Sequence, residues 1–485
     1  MAKNNVKKNY MYNLMYQILI MIIPLITTPY LSRVLGAENI GIYSYTLSIT
    51  TYFILFGSLG VAMYGQREIA YNQDNKFEKS KIFKEIFSLR LITLSISLLF
   101  FYITFCNKGE YHVYYAIFIL EIIANIFDIS WFFQGLEEFK KTVMRNMIVK
   151  LISVICIFLF VKTSYDLNKY ILIYVLSTLL GNLSLWIYIP KYIEKVGIKN
   201  LNVFRHFKPT ISLFIPQIAI QIYTVLDKTM IGFFVLDKSE VGYYEQAQKI
   251  VKLLMTIATS MGTVMMPRIA NTFAKGDINK LREYMYSSFS FVTMLAFPIM
   301  FGIISVSDKF VTLFFGNGYE KVAPLICIIS PIIIFIGLSN VIGTQYLLPT
   351  KQQKKFTLSV LFGAIINFIL NIFLIKKMKS IGASIATVIA ELSVTFIQFC
   401  FVRKEFKFTK ILKMTYKYFI SSLIMFFISL IIGRFINGNF ISVIVQVIVS
   451  TIIYFGILLL LKDKFMISNL EKLKSRVLKK RGISE

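Results

Sequence analysis

The amino-acid sequence alternates long apolar windows with short polar segments along almost its whole length. About fourteen windows reach the roughly 20 mostly apolar residues that an α-helix needs to cross the hydrocarbon core of a bilayer. The pattern predicts transmembrane helices over residues 10–34, 40–66, 84–106, 112–135, 143–163, 169–190, 209–235, 241–267, 285–316, 322–348, 356–376, 380–402, 415–435 and 440–461. Since the segments between them are too short for a soluble domain, we expect an all-α integral membrane protein.

The composition agrees with this fold class, and the distribution of charge adds an orientation. Of the 485 residues, 56% are hydrophobic and 16% are charged, and the net charge is +28. The N-terminus and the alternate loops on its side of the membrane carry 37 of the 53 Lys and Arg, whereas the opposite loops carry 10. Because cytoplasmic loops retain Lys and Arg, both termini are expected in the cytoplasm. Topology and attraction to anionic lipid explain the charge, so we expect no nucleic-acid partner.

The remaining six basic residues fall at membrane depth, where a cation costs about 2.5–3.5 kcal/mol and usually faces water or a partner. They are Arg90, Lys150, Lys228, Lys249, Lys252 and Lys309. Two of them belong to a polar stripe on the eighth window, whose members follow at helical steps of four and three: Glu245, Lys249, Lys252, Thr256 and Thr259. The seventh window repeats the pattern with Gln217, Gln221, Thr224 and Lys228.

The two stripes predict a binding site for a compact anion. Lys228 lies ten residues before the hairpin tip near Lys238, and Lys249 lies eleven residues after it, so their ammonium groups are expected at similar depth. Two converging cations suit a pyrophosphate, because its oxygens accept charge-assisted hydrogen bonds. We therefore predict a pyrophosphate site formed by Lys228, Lys249 and Lys252, within a cavity that Gln217 and Gln221 also line.

Acidic residues near these lysines leave a second interpretation open. Glu245 lies four residues before Lys249, and a pair at this spacing can be a neutral structural contact. Asp227 can pair with a neighbouring lysine in the same way. In that case the stripes hold the fold together and bind no phosphate.

A second group of buried charges has two open interpretations as well. Glu121 and Asp128 share one face of the fourth window, and Glu391 lies in the twelfth. They are either proton or sodium sites for ion coupling or halves of structural pairs with Arg90 or Lys150.

Neither cysteine nor histidine indicates a metal or redox site. The four cysteines lie far apart within apolar windows, and the two histidines cannot form a ligand cluster alone. We expect no cofactor, no metal ion and no catalytic residue.

An internal repeat is visible at an offset of 201 residues. The shift places "NIGIY" at 39–43 on "EVGYY" at 240–244, and it places Arg67 on Arg268 without a gap. The two arginines begin inner loops, where they serve as positive anchors or as a cytoplasmic gate. An offset that covers six helices predicts parallel repeats, which enter the membrane from the same side.

The repeat predicts two six-helix lobes around a central cavity, followed by two further helices. The expected boundaries are 1–205 for the N-terminal lobe, 206–405 for the C-terminal lobe and 406–485 for helices 13 and 14 with a basic cytoplasmic tail.

An ordered set of segments resembles the polysaccharide-transporter family, the Wzx-type flippases of lipid-linked oligosaccharides. The segments are "PLITTPYLSRVLGAENIGIYSY", "YGQREIA", "DISWFFQGLEEFKK", "DKTMIGFF", "MMPRIANTFAKGD" and "LLPTKQQKKF", and the resemblance covers roughly residues 5–405. It implies the fold shared with lipid II flippases and multidrug and toxin extruders. It also implies alternating-access movement of undecaprenyl-pyrophosphate-linked repeat units to the outer leaflet, for capsule, O-antigen or teichoic-type polysaccharides.

The resemblance also implies a setting and partners. We expect a monomer in the bacterial cytoplasmic membrane, whose partners are its lipid-linked substrate, the bilayer, and a glycan polymerase or other assembly proteins. In lipid II flippases, arginines of the first and eighth helices line a cationic cavity, and their positions correspond by motif to Arg33 in "SRVLG" and Lys249 in "AQK". Lysine keeps the charge but loses the bidentate geometry. The acidic and further arginine positions of that family's second helix have no match here, which weakens lipid II as a substrate.

Other function classes fit the residues less well. A multidrug antiporter would need a carboxylate-lined cavity for cations, whereas the strongest stripe here carries lysines. A membrane glycan polymerase or ligase would present catalytic residues on a sizeable external loop, and the external loops here are short. We therefore expect a transporter and not an enzyme.

Overall fold

A computed structural model describes residues 2–197, 200–435, 440–468 and 471. The described chain is mainly α-helical. Its α-helices are α1 (Ala2–Ser58), α2 (Val61–Tyr71), α3 (Lys76–Phe101), α4 (His112–Ile126), α5 (Ser130–Gly135), α6 (Phe139–Phe160), α7 (Leu167–Ser184), α8 (Phe207–Phe234), α9 (Ser239–Thr259), α10 (Gly262–Ala274), α11 (Ile278–Phe315), α12 (Val322–Ile329), α13 (Ile332–Ile342), α14 (Gln353–Val402), α15 (Phe408–Phe435) and α16 (Phe440–Leu460).

The two longest helices are hairpins of two spans each. In α1 the helical backbone is interrupted at Gly36, where φ is 77°, and in α14 it is interrupted at Lys379, where φ is 53°. Ile23 and Tyr43 line one cavity, although a straight helix would separate them by about 30 Å. In α14 the Gln398 amide donates to the Ser359 hydroxyl at 3.1 Å. Each helix therefore folds back on itself.

The helix count confirms the prediction of about 14 transmembrane helices. Among the described residues, ten helical segments are long and apolar enough to span a membrane, and the bent pair α9 and α10 makes eleven. The two hairpins add two spans, and the 28-residue helix α8 is long enough to be another. The apolar side chains that remain exposed on these helices are the surface that the lipid covers.

The chain forms two compact units, Met1–Gly242 and Tyr243–Glu485. In the first unit, one core joins α1, α3, α4 and α7 around Phe101 and Phe118. In the second unit, α15 and α16 pack on α11 through Tyr418 and Tyr454, and the Tyr454 hydroxyl donates to the Met294 carbonyl at 2.7 Å. The lobe boundaries at 205/206 and 405/406 stay a prediction.

A buried polar cluster fixes the segment that leads into α8. The Glu85 carboxylate, which is inaccessible to solvent, accepts hydrogen bonds from the backbone N–H of Asn202 at 2.6 Å and from Arg205 at 2.5 Å. It also lies 2.8 Å from His206, whose other ring nitrogen is 2.7 Å from the Tyr64 hydroxyl. Burial lowers the pKa of the His206 imidazole, and the Glu85 carboxylate opposes this shift. These contacts hold the connecting segment against α2 and α3.

The sequence repeat corresponds to features of the fold. Helix α2 begins at Val61 and α10 begins at Gly262, which differ by the repeat offset of 201. The repeat-related glycines Gly41 and Gly242 also lie against each other: a Cβ on Gly41 would collide with the Lys238 carbonyl and approach the Gly242 nitrogen. Because neither glycine carries a side chain, the two backbones can come this close.

Replacing Gly41 by alanine is expected to destabilise the protein. The added methyl group must push the Lys238 backbone away, and overpacking of this kind typically costs about 1–3 kcal/mol. The melting temperature of the purified protein in detergent should fall relative to wild type. Gly456→Ala is the matched control, since a Cβ there has no neighbour within 4 Å. Equal melting temperatures for the two variants would contradict the close packing at Gly41.

Candidate functional site

Helix α9 has a half-buried face, which carries the polar stripe, and a buried face. Lys249 and Lys252 are half-buried, as are Glu245, Thr256 and Thr259. The adjacent residues Gln248 and Val251 are buried, with exposed fractions of 5% and zero. The predicted stripe is therefore one continuous surface of the helix.

A chain of hydrogen bonds anchors Lys252 in the second unit. Its ammonium donates to the Gln248 side-chain oxygen at 3.0 Å, and the Gln248 amide donates to the Tyr244 hydroxyl at 3.0 Å. Tyr244 is fully buried and shares a hydrogen bond of 2.9 Å with Thr387 of α14. The bond from Gln248 orients the ammonium without neutralising it, because the partner is an uncharged amide.

Sequence reasoning missed this chain of contacts. Tyr244, Gln248 and Lys252 follow one another at steps of four residues, so their placement on one helical face was available as a signal. Nothing in the sequence pointed to Thr387, which meets Tyr244 only through the packing of α14 on α9.

The residues predicted on α8 belong to the first unit and have different environments. Asp227 is 3% exposed and lies near Tyr52, whereas Lys228 is half-buried. Gln221 is exposed, and the Gln217 side chain lies outside the described residues. Thr229, which follows Lys228 in the chain, donates to the Ser48 hydroxyl of α1 at 2.8 Å. The convergence of Lys228 with Lys249 stays a prediction.

Arg33 lies on α1, three residues before the turn at Gly36, and its side chain is exposed. This position suits the end of a span. Its predicted role as a cavity ligand stays a prediction.

The acidic residues at membrane depth differ in their contacts. Asp128 lies 3.7 Å from Arg90, whose Nε also donates to the Asn125 carbonyl at 2.7 Å. Glu121 is 7% exposed, and its Oε2 has no hydrogen-bond partner among the described residues. Glu391 of α14 is 9% exposed. The Arg90 contact is one of the two arrangements that the sequence left open for Asp128, and ion coupling through these carboxylates stays a prediction.

The repeat-related arginines both lie on exposed surfaces. Arg67 of α2 forms an ion pair with Glu68 at 3.1 Å, and its guanidinium lies 5.4 Å from the centre of the Tyr64 ring. Arg268 of α10 is exposed. A gating role for either arginine stays a prediction.

The sequence and the fold match related families of membrane transporters. Residues 6–273 match the family described as polysaccharide biosynthesis protein, and residues 143–455 match the family described as lipid II flippase MurJ. A solved structure of lipid II flippase MurJ in an inward closed conformation superposes with a TM-score of 0.76 at 19% identity, over 92% of this chain and 98% of that chain.

Curated relatives extend over nearly the whole chain. A protein of Escherichia coli (strain K12) named "Putative O-antigen transporter" is 27% identical over 83% of this chain and 98% of its own length. The capsular polysaccharide biosynthesis protein CapF of Staphylococcus aureus is 22% identical over 82% of this chain and 100% of its own length. The chain therefore belongs to the polysaccharide biosynthesis protein family of Wzx-type transporters, within the superfamily that also contains the lipid II flippases.

Proposed function

We propose that this protein is a flippase that moves undecaprenyl-pyrophosphate-linked oligosaccharide repeat units from the cytoplasmic to the outer leaflet. The family and the names of its relatives, an O-antigen transporter and a capsular polysaccharide protein, support a glycan substrate. Families of this kind are transporters, and no step of the proposed movement breaks a covalent bond. The products would feed surface polysaccharide assembly, with a glycan polymerase as a partner.

The observation that carries the proposal is the lysine-bearing face of α9. Lys249 and Lys252 hold two ammonium groups on one half-buried face of the helix at membrane depth. A pyrophosphate supplies anionic oxygens that accept their hydrogen bonds. The polyprenyl tail is apolar and can stay in the lipid while the glycan and pyrophosphate cross the membrane.

The membrane potential supplies a driving force for this direction. With the cytoplasm negative, outward movement of a dianion is downhill by about 4.6 kcal/mol per 100 mV, twice the value for one charge. Alternating access by rocking of the two lobes then needs no energy from a nucleotide. Coupling to protons or sodium through Glu121, Asp128 or Glu391 would add to this force.

The test is reconstitution of the purified protein in liposomes that contain undecaprenyl-pyrophosphate oligosaccharide with a fluorescent sugar. The fraction of label that an impermeant quencher reaches should change faster than in protein-free liposomes. A fluorescent phospholipid in the same liposomes should not move faster. Absence of glycan movement, or equal movement of the phospholipid, would overturn the proposal.

A lipid II flippase is the second candidate, and the match over residues 143–455 favours it specifically. The missing charges on the second span argue against it, because Gly41, Tyr43 and Phe53 lie in that region. Rescue of bacterial cells depleted of their lipid II flippase would establish this alternative.

The proposed orientation places the N- and C-termini in the cytoplasm of a bacterium. The sequence suggests Lys238 as an external label site, but the structure buries this residue to 8% exposure. Its ammonium donates to the carbonyls of Gly232 at 2.7 Å and Val235 at 2.9 Å and lies 5.2 Å from the centre of the Tyr45 ring. Burial lowers the pKa of this lysine, whereas the nearby carboxylates act to raise it. A different residue of the same turn is needed.

Cysteine labelling tests the orientation with exposed positions. Leu236 is 96% exposed, and Asn317 and Lys354 are exposed as well. In intact cells, Leu236→Cys and Asn317→Cys should react with an impermeant thiol reagent, whereas Lys354→Cys should react only after permeabilisation. The expectation follows from the excess of Lys and Arg on the Lys354 side. The reverse labelling pattern would overturn the topology and the direction of transport.

A further inference from the structure

The first unit contains a cavity of about 380 Å³, with several polar side chains in its wall, that the proposed pyrophosphate site does not use. It lies between the two arms of α1 and the helices α6 and α7. Arg145 and Lys150 line it from α6, Asn182 from α7, and three tyrosines complete the wall: Tyr43, Tyr170 and Tyr174. The combination of two cations, an amide and aromatic rings inside a membrane helix bundle calls for a polar ligand.

The Arg145 guanidinium is held in place by uncharged oxygens. Its Nη1 donates to the Asn182 side-chain oxygen at 2.6 Å, and its Nη2 donates to the Ser130 hydroxyl at 3.1 Å. Its Nε is buried and has no hydrogen-bond partner among the described residues. The two bonds bridge α6, α7 and α5 and fix the direction of the positive charge.

The cavity has a net positive lining. Within the described ranges, neither Arg145 nor Lys150 forms an ion pair with a carboxylate. Asp128 acts on Arg145 at longer range but lies 3.7 Å from Arg90. Glu121 reaches the same wall through Thr178, so the lining holds one carboxylate against two cations. Two cations on one wall therefore favour an anionic ligand.

The tyrosines supply a surface for a ring-shaped ligand. The centre of the Tyr43 ring lies 4.9 Å from that of Tyr170 and 5.9 Å from that of Tyr174, with the planes steeply inclined. Aromatic faces accommodate the C–H surface of a sugar ring, and phenol hydroxyls exchange hydrogen bonds with its hydroxyls. The volume of about 380 Å³ lies at the lower end of the range for small-molecule pockets, so the cavity suits a small sugar unit and not a whole repeat unit.

We propose that this cavity binds an acidic sugar of the transported glycan, with its carboxylate at Arg145 and Lys150 and its ring against the tyrosines. The inference rests on the proposed function and adds a substrate class to it: repeat units that contain a uronic acid or a similar acidic sugar. The recognised chemistry is an anionic oxygen group, which the pyrophosphate of the lipid carrier also offers.

Binding to the purified full-length protein separates these sources. The probes are a disaccharide of glucuronic acid and glucose, the neutral disaccharide of two glucoses, and inorganic pyrophosphate, each titrated by calorimetry. Wild type should bind the acidic disaccharide at least tenfold more tightly than the neutral one. Lys150→Gln should remove most of this preference, and Lys150→Arg should keep it. Lys162→Gln is the matched control, because Lys162 is exposed outside the cavity and its loss should change nothing.

Three outcomes would overturn the inference: equal binding of the two disaccharides by wild type, survival of the preference in Lys150→Gln, or a loss confined to pyrophosphate. The last outcome would assign the cavity to the carrier's phosphates. Lys150 carries the test because Arg145 bridges three helices, so its replacement could disturb folding. If only this inference is wrong, the wild-type protein still transports the labelled lipid-linked glycan. If the proposed function is wrong, the wild-type protein shows no such transport.

Discussion

Lys249→Ala is expected to abolish transport of the lipid-linked glycan, and Lys249→Arg is expected to retain much of it. Lys249 lies on the half-buried face of α9, where its ammonium would contact the pyrophosphate. Loss of a partly buried ionic contact costs about 2–5 kcal/mol, which is more than tenfold in binding or rate. The measurement is the rate of quencher access to the fluorescent glycan in liposomes, normalised to the amount of reconstituted protein.

Two further observations distinguish transport from folding in this experiment. Lys275→Ala removes an exposed lysine after α10 and should transport at the wild-type rate. The melting temperature and membrane abundance of Lys249→Ala should stay close to wild type. A loss of abundance that equals the loss of transport would assign Lys249 a structural role as the partner of Glu245.

The second large effect concerns the ligand that the lysines recognise. Wild type should bind a polyprenyl-pyrophosphate glycan more tightly than the uncharged polyprenyl glycoside of the same sugar. Lys228→Ala and Lys249→Ala should each shrink this difference and leave affinity for the neutral lipid almost unchanged. The reason is that the ionic contact exists only for the charged ligand, whereas a packing defect would weaken both.

Glu245→Gln provides the opposing control for this binding experiment. If Glu245 partly neutralises Lys249, its removal should preserve or strengthen pyrophosphate binding. If both lysine variants still discriminate between the charged and uncharged lipids as well as wild type does, the pyrophosphate site is wrong. The stripes would then be structural ion pairs.

The helices and the stripe of α9 could be predicted because they depend on local periodicity. A span of about 20 apolar residues must form a helix in a bilayer, since only a helix satisfies its own backbone groups there. The steps of four and three residues from Glu245 to Thr259 likewise fix one face of α9 before any packing is known. Comparison of the chain with itself at an offset of 201 residues found the repeat, which reappears as the matched starts of α2 and α10.

Contacts between distant residues could not be predicted in this way. The predicted span 143–163 contains Arg145 but gave it no partner, whereas the structure places its guanidinium on Asn182 of α7. The sequence left His206 without a partner, whereas the structure places it 2.8 Å from Glu85. It also suggested an accessible Lys238, whereas the turn before α9 buries that side chain.

The sequence by itself determined that this chain is a helical membrane protein with a cationic polar face, because hydropathy, loop charge and helical spacing are local properties. The tertiary structure alone decided which faces meet. Helices that are apolar almost all round offer many alternative packings, and the choice depends on small residues such as Gly41 and Gly242 and on buried polar partners far apart in the chain. The cavity with Arg145 and Lys150 exists only after α1, α6 and α7 have packed together, since each helix supplies one part of its wall.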